Sequence, residues 1–561
     1  MRIPRTVIAA AAFSLALVGC DKALDLTNLA AVNATDVWKD PSLAQAYVDR
    51  IYNDNLPDWS TGEASQSDES PGGTSYLFGQ LTVNSVNYWP YAEIRRINIL
   101  LHDIGSGTLS PALVQTFTGE ALFFRAYRYF ELVKRYGGVP LLLTPQDLTD
   151  SLLVSRATTT QTIAQIVSDL DSATALLPTM AAGSGANDGH LHKGTAMALK
   201  GRVLLYYASP QFNRNGDAQR WQNAYTANEN AKTFLTAQGF RLNPSFEQLW
   251  AGAMNPEVVF VRRYSYPAVT TSWPATVRPL DESSGHTGGD WPTWDMVKAF
   301  PMRDGKPTTG SPLYDTLSYF KNRDPRFYLT IAYNGAVWAL SGKSGRREWT
   351  YVGGEKNNPT STGFYTRKAV NPAEDAFQAG NSQTPWIEIR YAEVLLNLAE
   401  AANAVGKTQE AYDQLIALRK RAGIDAGTDA LYGLQAGMSG TQMQDAIMLE
   451  RRIELAFESK RYWDLRRNML FESKLNGTRR TGLKILLTIS TTQWLPIRDT
   501  VNLDVSYSKY FKHQVVIMDT QQAINWQSNY YFFAIPTSHL QLNSNLQQTL
   551  GWPGGTFDPL P

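Results

Sequence analysis

The sequence predicts a mainly α-helical chain built of tetratricopeptide-like hairpins, with a loop-rich irregular lobe set between them. Three stretches carry this expectation. In residues 387–423, Ile389, Ala392, Leu396 and Ala399 line one helix face and Ala411, Leu415, Leu418 and Ala422 line the next, with Gly406 and Gly423 as stops. That unit of about 34 to 36 residues is close to the tetratricopeptide period. Residues 110–136 open on Ser110 and Pro111, stop at Gly137, Gly138 and Pro140, and repeat Phe117, Ala121, Phe124, Tyr127, Phe130 and Val133 at helical spacing. Residues 264–363 behave differently: 11 of the 41 Gly and 9 of the 28 Pro fall there, so no long helix is expected.

The chain opens on Arg2 and Arg5, an apolar run over residues 7–18 broken by Ser14, and the tetrapeptide Leu17, Val18, Gly19, Cys20. This is the layout of a secretory leader. The run of about a dozen residues is too short to span a bilayer, which takes roughly 20. Cys20 is the only cysteine of the chain and stands at the cleavage position, in a tetrapeptide that resembles the bacterial lipoprotein lipobox. Cys20 is therefore the expected lipidation site, residues 1–19 the leader and residues 20–40 a lipid anchor and tether. With no other thiol, stability must come from packing.

Beyond the tether, Asp40 and Pro41 open a first helix ending near Tyr52, and residues 53–79, rich in Asp, Ser, Gly and Pro, read as surface loop. Further helices are expected over residues 88–103, 110–136, 160–177, 193–208, 221–237, 387–406 and 408–423. The composition narrows the function. With 43% hydrophobic and 18% charged residues the chain is not disordered, and 52 Lys and Arg against 51 Asp and Glu leave no electrostatic footprint for nucleic acid.

Several stretches resemble the SusD/RagB family of outer-membrane nutrient-binding lipoproteins. They include WPYAEIRRINILL, GEALFFRAYRYFELVKRYGGVPL, GTAMALKGRVLLYYASPQF, NRDPRFYLTIAYNG, IEIRYAEVLLNLAEA, ERRIELAFESKRYWDLRR and the closing FFAIPTSHLQLNSNLQQTLGW, in family order over nearly all of the mature chain. The resemblance implies a SusD-like fold with a helical part over residues 41–263, a loop-rich lobe over 264–386 as candidate ligand site, and a C-terminal part over 387–561. It further implies a noncatalytic binder on the outer membrane, lipid-anchored at the cell surface, that passes oligosaccharide, or in some members peptide, to a SusC-like TonB-dependent transporter. One departure is visible. The acidic run that often follows the cysteine in the family is reduced here to Asp21 and Asp25.

Glu450, Glu454 and Glu458 recur at i, i+4 and i+8 among Arg451, Arg452, Arg461 and Arg466; without a Glu-x-x-His partner the spacing favours an ion-pair network over a metal site. His190 and His192 lack further ligands nearby, and no cofactor is expected. No Gly-x-Ser-x-Gly elbow or phosphate-binding glycine loop occurs, and nothing selects a carboxylate pair for glycoside hydrolysis, so an anchored hydrolase is only an alternative. The loop tryptophans are the functional signal. Flat aromatic rings suit the C–H faces of sugars, and Trp273, Trp291, Trp294, Trp338 and Trp349 lie among Gly, Pro, Ser and Thr, where no long amphipathic face buries them all. Trp291 and Trp294, with Asp290 beside them, are the first candidates for ligand contact. Trp273 and Trp338 come next, and Tyr76 and Trp89 are placed to close the other side.

Overall fold

The computed structural model describes residues 34–560 except 61, 73–74, 148, 185–188, 253, 287 and 355–358. Cys20 and the expected leader lie outside the described residues. The helical part begins with α1 (Pro41–Asn55), α2 (Tyr91–Asp103), α3 (Pro111–Tyr136), α4 (Thr159–Leu176), α5 (Lys193–Ala208) and α6 (Ala218–Ala237). Local chemistry sets their starts. The Asp40 carboxylate accepts from the Ser42 and Leu43 amides at 2.7 and 3.2 Å ahead of Pro41, Ser110 caps α3, and Thr158 with Gln161 forms a reciprocal capping box on α4.

Helix α3 is the axis of the larger core. Its expected face is buried, and so are Phe123, Tyr129, Leu132 and Tyr136 on other sides, because α1, α2 and α4 all pack against it. Across the α3–α4 contact, Arg125 meets Asp169 through two bonds of 2.7 Å in a nearly closed environment.

The array continues through space where the chain does not. Helix α6 packs on α7 (Tyr391–Ala404), which packs in turn on α8 (Thr408–Ala422) and α9 (Gly440–Glu454). The intervening residues therefore form a lobe inserted into a continuous helical stack. Its neck is a two-stranded antiparallel pair, β1 (Val258–Arg262) leaving and β2 (Trp386–Arg390) returning, with Phe260 opposite Ile389 and Val261 opposite Ile387. This corrects the expectation of a single helix over 387–406. Ile387 and Ile389 alternate with Glu388 and Arg390 at strand period, and the helix begins only at Tyr391.

The lobe holds short helices such as Trp273–Val277, Trp294–Ala299 and Pro325–Thr330 around a second core. That core is completed from far along the chain by the hairpin of β3 (Thr481–Leu487) and β4 (Phe511–Ile517), whose Leu483, Ile485 and Phe511 enter it. Beneath it, the acidic helix face becomes a buried charge lattice. Arg326 bonds Asp324, Glu450 and Glu454; Arg390 bonds Glu257, Glu454 and Glu458; Arg419 closes on Glu450 and Lys368 on Glu458. Glu450, Glu454 and Glu458 each meet at least two cations and are structural. Among the described residues no helix is long and apolar enough to cross a membrane.

Candidate functional site

The polar loop after α1 is held rigidly against the lobe. The Asp68 carboxylate accepts from Arg461 at 2.8 and 3.0 Å and faces Arg452 at 3.0 Å; these two guanidinium groups outweigh burial and hold its pKa well below the ordinary value. Its neighbour Glu69 makes no hydrogen bond to either guanidinium among the described residues. It accepts from the Phe457 amide at 3.1 Å, and burial pushes its pKa up to about 8. Thr293 stitches this loop to the helix Trp294–Ala299, donating its amide to Glu69 O at 2.9 Å and its hydroxyl to Asp68 O at 2.7 Å. From beneath, Arg480 donates to the carbonyls of Ser65, Ser70 and Gly72 at 2.7 to 2.8 Å.

These ties leave an open groove of about 410 Å³ between residues 70–72, residues 288–291 and residues 518–522. Asp290 and Trp291 form one wall; Phe78, Ser361, Met518 and Gln522 contribute to the others. Trp291 is half-buried, its ring edge-to-face with Tyr365 at 5.8 Å. Gly288 makes room for it: a Cβ there would fall 2.0 Å from Trp291 Cζ2. Asp290 is 3% exposed and sits in a left-handed conformation with φ of 47°. Its Oδ2 accepts from the Gly62 amide at 2.8 Å, while Oδ1 and the Trp291 Nε1 are buried without a hydrogen-bond partner among the described residues. Burial pushes the Asp290 pKa up to about 6, only partly opposed by the Gly62 bond. The groove thus offers the rings of Trp291 and Phe78, the carboxyls of Asp290 and Asp519, and amide and hydroxyl groups on its rim.

The other candidates lie elsewhere. Trp273, Trp294 and Trp338 are 2%, 6% and 1% exposed, so the expectation that the loops would leave these rings uncovered is corrected. Trp273 stacks on Trp59 at 4.7 Å, and Trp294 stacks on Phe364 and meets Tyr319 edge-on. Trp349, also 6% exposed, packs against Trp494. The covering rings come from Trp59, from Tyr319 and Phe364 elsewhere in the lobe, and from Trp494 between the strands of the β3–β4 hairpin, which no local pattern could announce. Trp89 stacks on His539 at 4.7 Å and belongs to the helical core, as does Tyr76, which packs edge-on to Tyr462 and Phe533. Of the predicted contact residues, Asp290 and Trp291 are the two that line this groove; Phe78, Ser361, Met518 and Gln522 were missed, having no sequence signal beyond ordinary loop composition. His192 is buried against Phe240, and the half-exposed His190 faces Glu120 at 3.2 Å, so both take part in packing.

The fold is an inserted loop lobe on a helical stack with an aromatic groove between lobe and first loop, and comparison with known proteins gives it a family. Residues 221–552 match the SusD family model and residues 21–205 match a model described as starch-binding associating with outer membrane. The chain belongs to the SusD family and has its mainly α fold. It is 25% identical over 402 residues to SusD-like protein P2 of Formosa agariphila, an alignment that covers 68% of this chain and 71% of that one. Among solved structures, a SusD-like protein from Bacteroides fragilis superposes with a TM-score of 0.74 at 24% identity, covering 93% of this chain and 99% of that one. A SusD-like carbohydrate binding protein from the same organism gives 0.72 at 23% identity, covering 91% and 99%.

Proposed function

We propose that this chain is a noncatalytic, lipid-anchored glycan-binding protein of the outer membrane that captures oligosaccharide in the Trp291 groove and passes it to a SusC-like TonB-dependent transporter. The observation that carries the reading is the half-buried Trp291 indole at an open groove beside Asp290, on the loop lobe of a SusD-family chain. An indole face matches the C–H face of a pyranose ring, and Asp290 with the loop amides supplies partners for its hydroxyls. The names of the matching models and structures, starch-binding and carbohydrate binding, support the ligand class. Cys20 supports the anchor.

The deciding experiment is calorimetric titration of the purified chain with a panel of defined oligosaccharides and, in parallel, short peptides. Saccharide binding that Trp291→Ala weakens supports the reading. Binding of peptides alone, or sustained release of reducing ends from a bound glycan, overturns it.

A further inference from the structure

A second cavity on the lobe, of about 510 Å³, presents two aromatic rings to solvent: Tyr266 is 52% exposed and Phe377 is 60% exposed. Isolated exposed rings are ordinary, but two that line one cavity together make an apolar surface with a shape. The rest of its lining is polar. Asn371 and Gln383 bring amides, and Glu374 and Asp375 bring carboxylates.

The two arms that carry the rings are fixed to each other. Ser265 and Val269 exchange backbone bonds of 2.8 and 2.9 Å, closing a turn that displays Tyr266. Thr271 and Ser382 exchange two bonds of 2.9 Å, tying that turn to the segment bearing Phe377. Behind the wall, Arg278, 1% exposed, donates to the carbonyls of Glu374 and Asp375 at 3.1 and 2.6 Å. The Ser382 hydroxyl holds Glu374 Oε1 at 2.8 Å, while Oε2 is buried with no partner among the described residues. Backbone segments held this firmly lose little freedom on meeting a ligand.

The geometry points to a second contact site for a neutral oligosaccharide, with Tyr266 and Phe377 packing on sugar rings and Asn371, Gln383 and Glu374 bonding hydroxyls. This rests on the glycan-binding reading and extends it from one groove to two. Neutrality follows from the charges: two carboxylates line the cavity, no Lys or Arg does among the described residues, and the buried Arg278 behind the wall turns both its Nη atoms to carbonyls. A uronate or sulfate group would meet repulsion there. The helix Trp273–Val277 connects the sites, packing on the helix Ala376–Gly380 that carries Phe377 and accepting, at Thr276 O, the Gly289 amide beside Asp290 at 3.0 Å. One chain long enough to engage both would gain from the second contact as an intramolecular event.

The test titrates the wild type, Trp291→Ala and the double variant Tyr266→Ala, Phe377→Ala with maltohexaose, laminarihexaose, cellohexaose, xylohexaose and mannohexaose, recording each unfolding midpoint. Because both rings are more than half exposed, the double variant should keep the wild-type midpoint. The expected result is a loss of about tenfold or more in affinity for whichever hexasaccharide binds, restored by the aromatic exchange Tyr266→Phe, Phe377→Tyr. A hexasaccharide that Trp291→Ala weakens and the double variant binds normally overturns the second site and leaves the function standing. No heat with any hexasaccharide in the wild type removes both. A double variant that binds sugar normally but no longer copurifies with a β-barrel protein would make this surface a partner contact and also overturn the proposal.

Discussion

Arg480 and Asp519 form a buried fork-to-fork pair, Nη2 to Oδ1 at 2.7 Å and Nε to Oδ2 at 3.0 Å, and the same guanidinium holds the groove loop by its carbonyls. Asp519 itself lines the groove. The pair therefore couples the wall formed by residues 518–522 to the wall formed by residues 70–72. Removing one member leaves the other buried and uncompensated, at a cost of about 3 to 5 kcal/mol. Arg480→Met should lower stability by that order in urea unfolding and expose residues 65–72 to limited proteolysis. Unchanged stability and protease resistance would show that the loop is held by other contacts.

Trp291 and Trp294, three residues apart, should respond in opposite ways. Trp291 lines the groove and is half-buried, so Trp291→Ala should cost about 1 to 3 kcal/mol of ligand binding, roughly tenfold to a hundredfold in affinity, with little loss of stability. Trp294 is enclosed by Phe364 and Tyr319, so Trp294→Ala should destabilise the fold by about 3 to 5 kcal/mol. Paired calorimetry and urea unfolding separate the two. Equal stability losses would place Trp291 in the core as well.

Their adjacency in the sequence explains why one was not distinguishable from the other there. Helix starts were legible because their causes are local: Asp40 with Pro41 and Ser110 with Pro111 satisfy amides within one turn. The charge lattice was legible in part, since Glu450, Glu454 and Glu458 share a face, although Arg326, Arg390 and Lys368 could not be assigned to it from spacing. Burial of the loop tryptophans was not legible, because Trp273 is covered by Trp59 and Trp349 by Trp494, each more than a hundred residues away. Tyr266 and Phe377 likewise stand more than a hundred residues apart, and long-range ties such as the Thr271–Ser382 bridge and the Arg278 bonds to the Glu374 and Asp375 carbonyls bring their segments together.

Asp290 makes stability depend on pH with a defined sign. Burial raises its pKa from 3.8 to about 6, so the folded state binds a proton that the unfolded chain has released. Its contribution is fully present below about pH 3.8 and is lost as pH rises through 6, a span on the order of 3 kcal/mol. Glu69, raised to about 8, acts in the same direction over a higher window. His192, lowered to about 4 by burial, acts oppositely and loses stability as pH falls below 6.5. The difference between wild type and Asp290→Asn isolates the one group. Urea unfolding at pH 4, 5, 6 and 7 should show the variant gaining relative stability with each step; a constant difference would mean that Asp290 titrates normally.

The last prediction concerns how captured sugar reaches the cell. In the proposed function the captured sugar is handed to a membrane-embedded transporter, which requires the binder to stay within its reach. If Cys20 carries the lipid, the roughly 20 residues between it and Pro41 can extend no further than about 70 Å, which confines the groove to the membrane surface and raises its concentration around an embedded partner. Cys20→Ala should move the protein out of the membrane fraction while leaving oligosaccharide affinity unchanged, and mild-detergent purification of the wild type should recover a β-barrel transporter in near-equal amount. Membrane retention of the Cys20→Ala protein would remove the anchor from this account. Recovery of the wild type alone, with sugar uptake undiminished when the neighbouring transporter is deleted, would remove the partner.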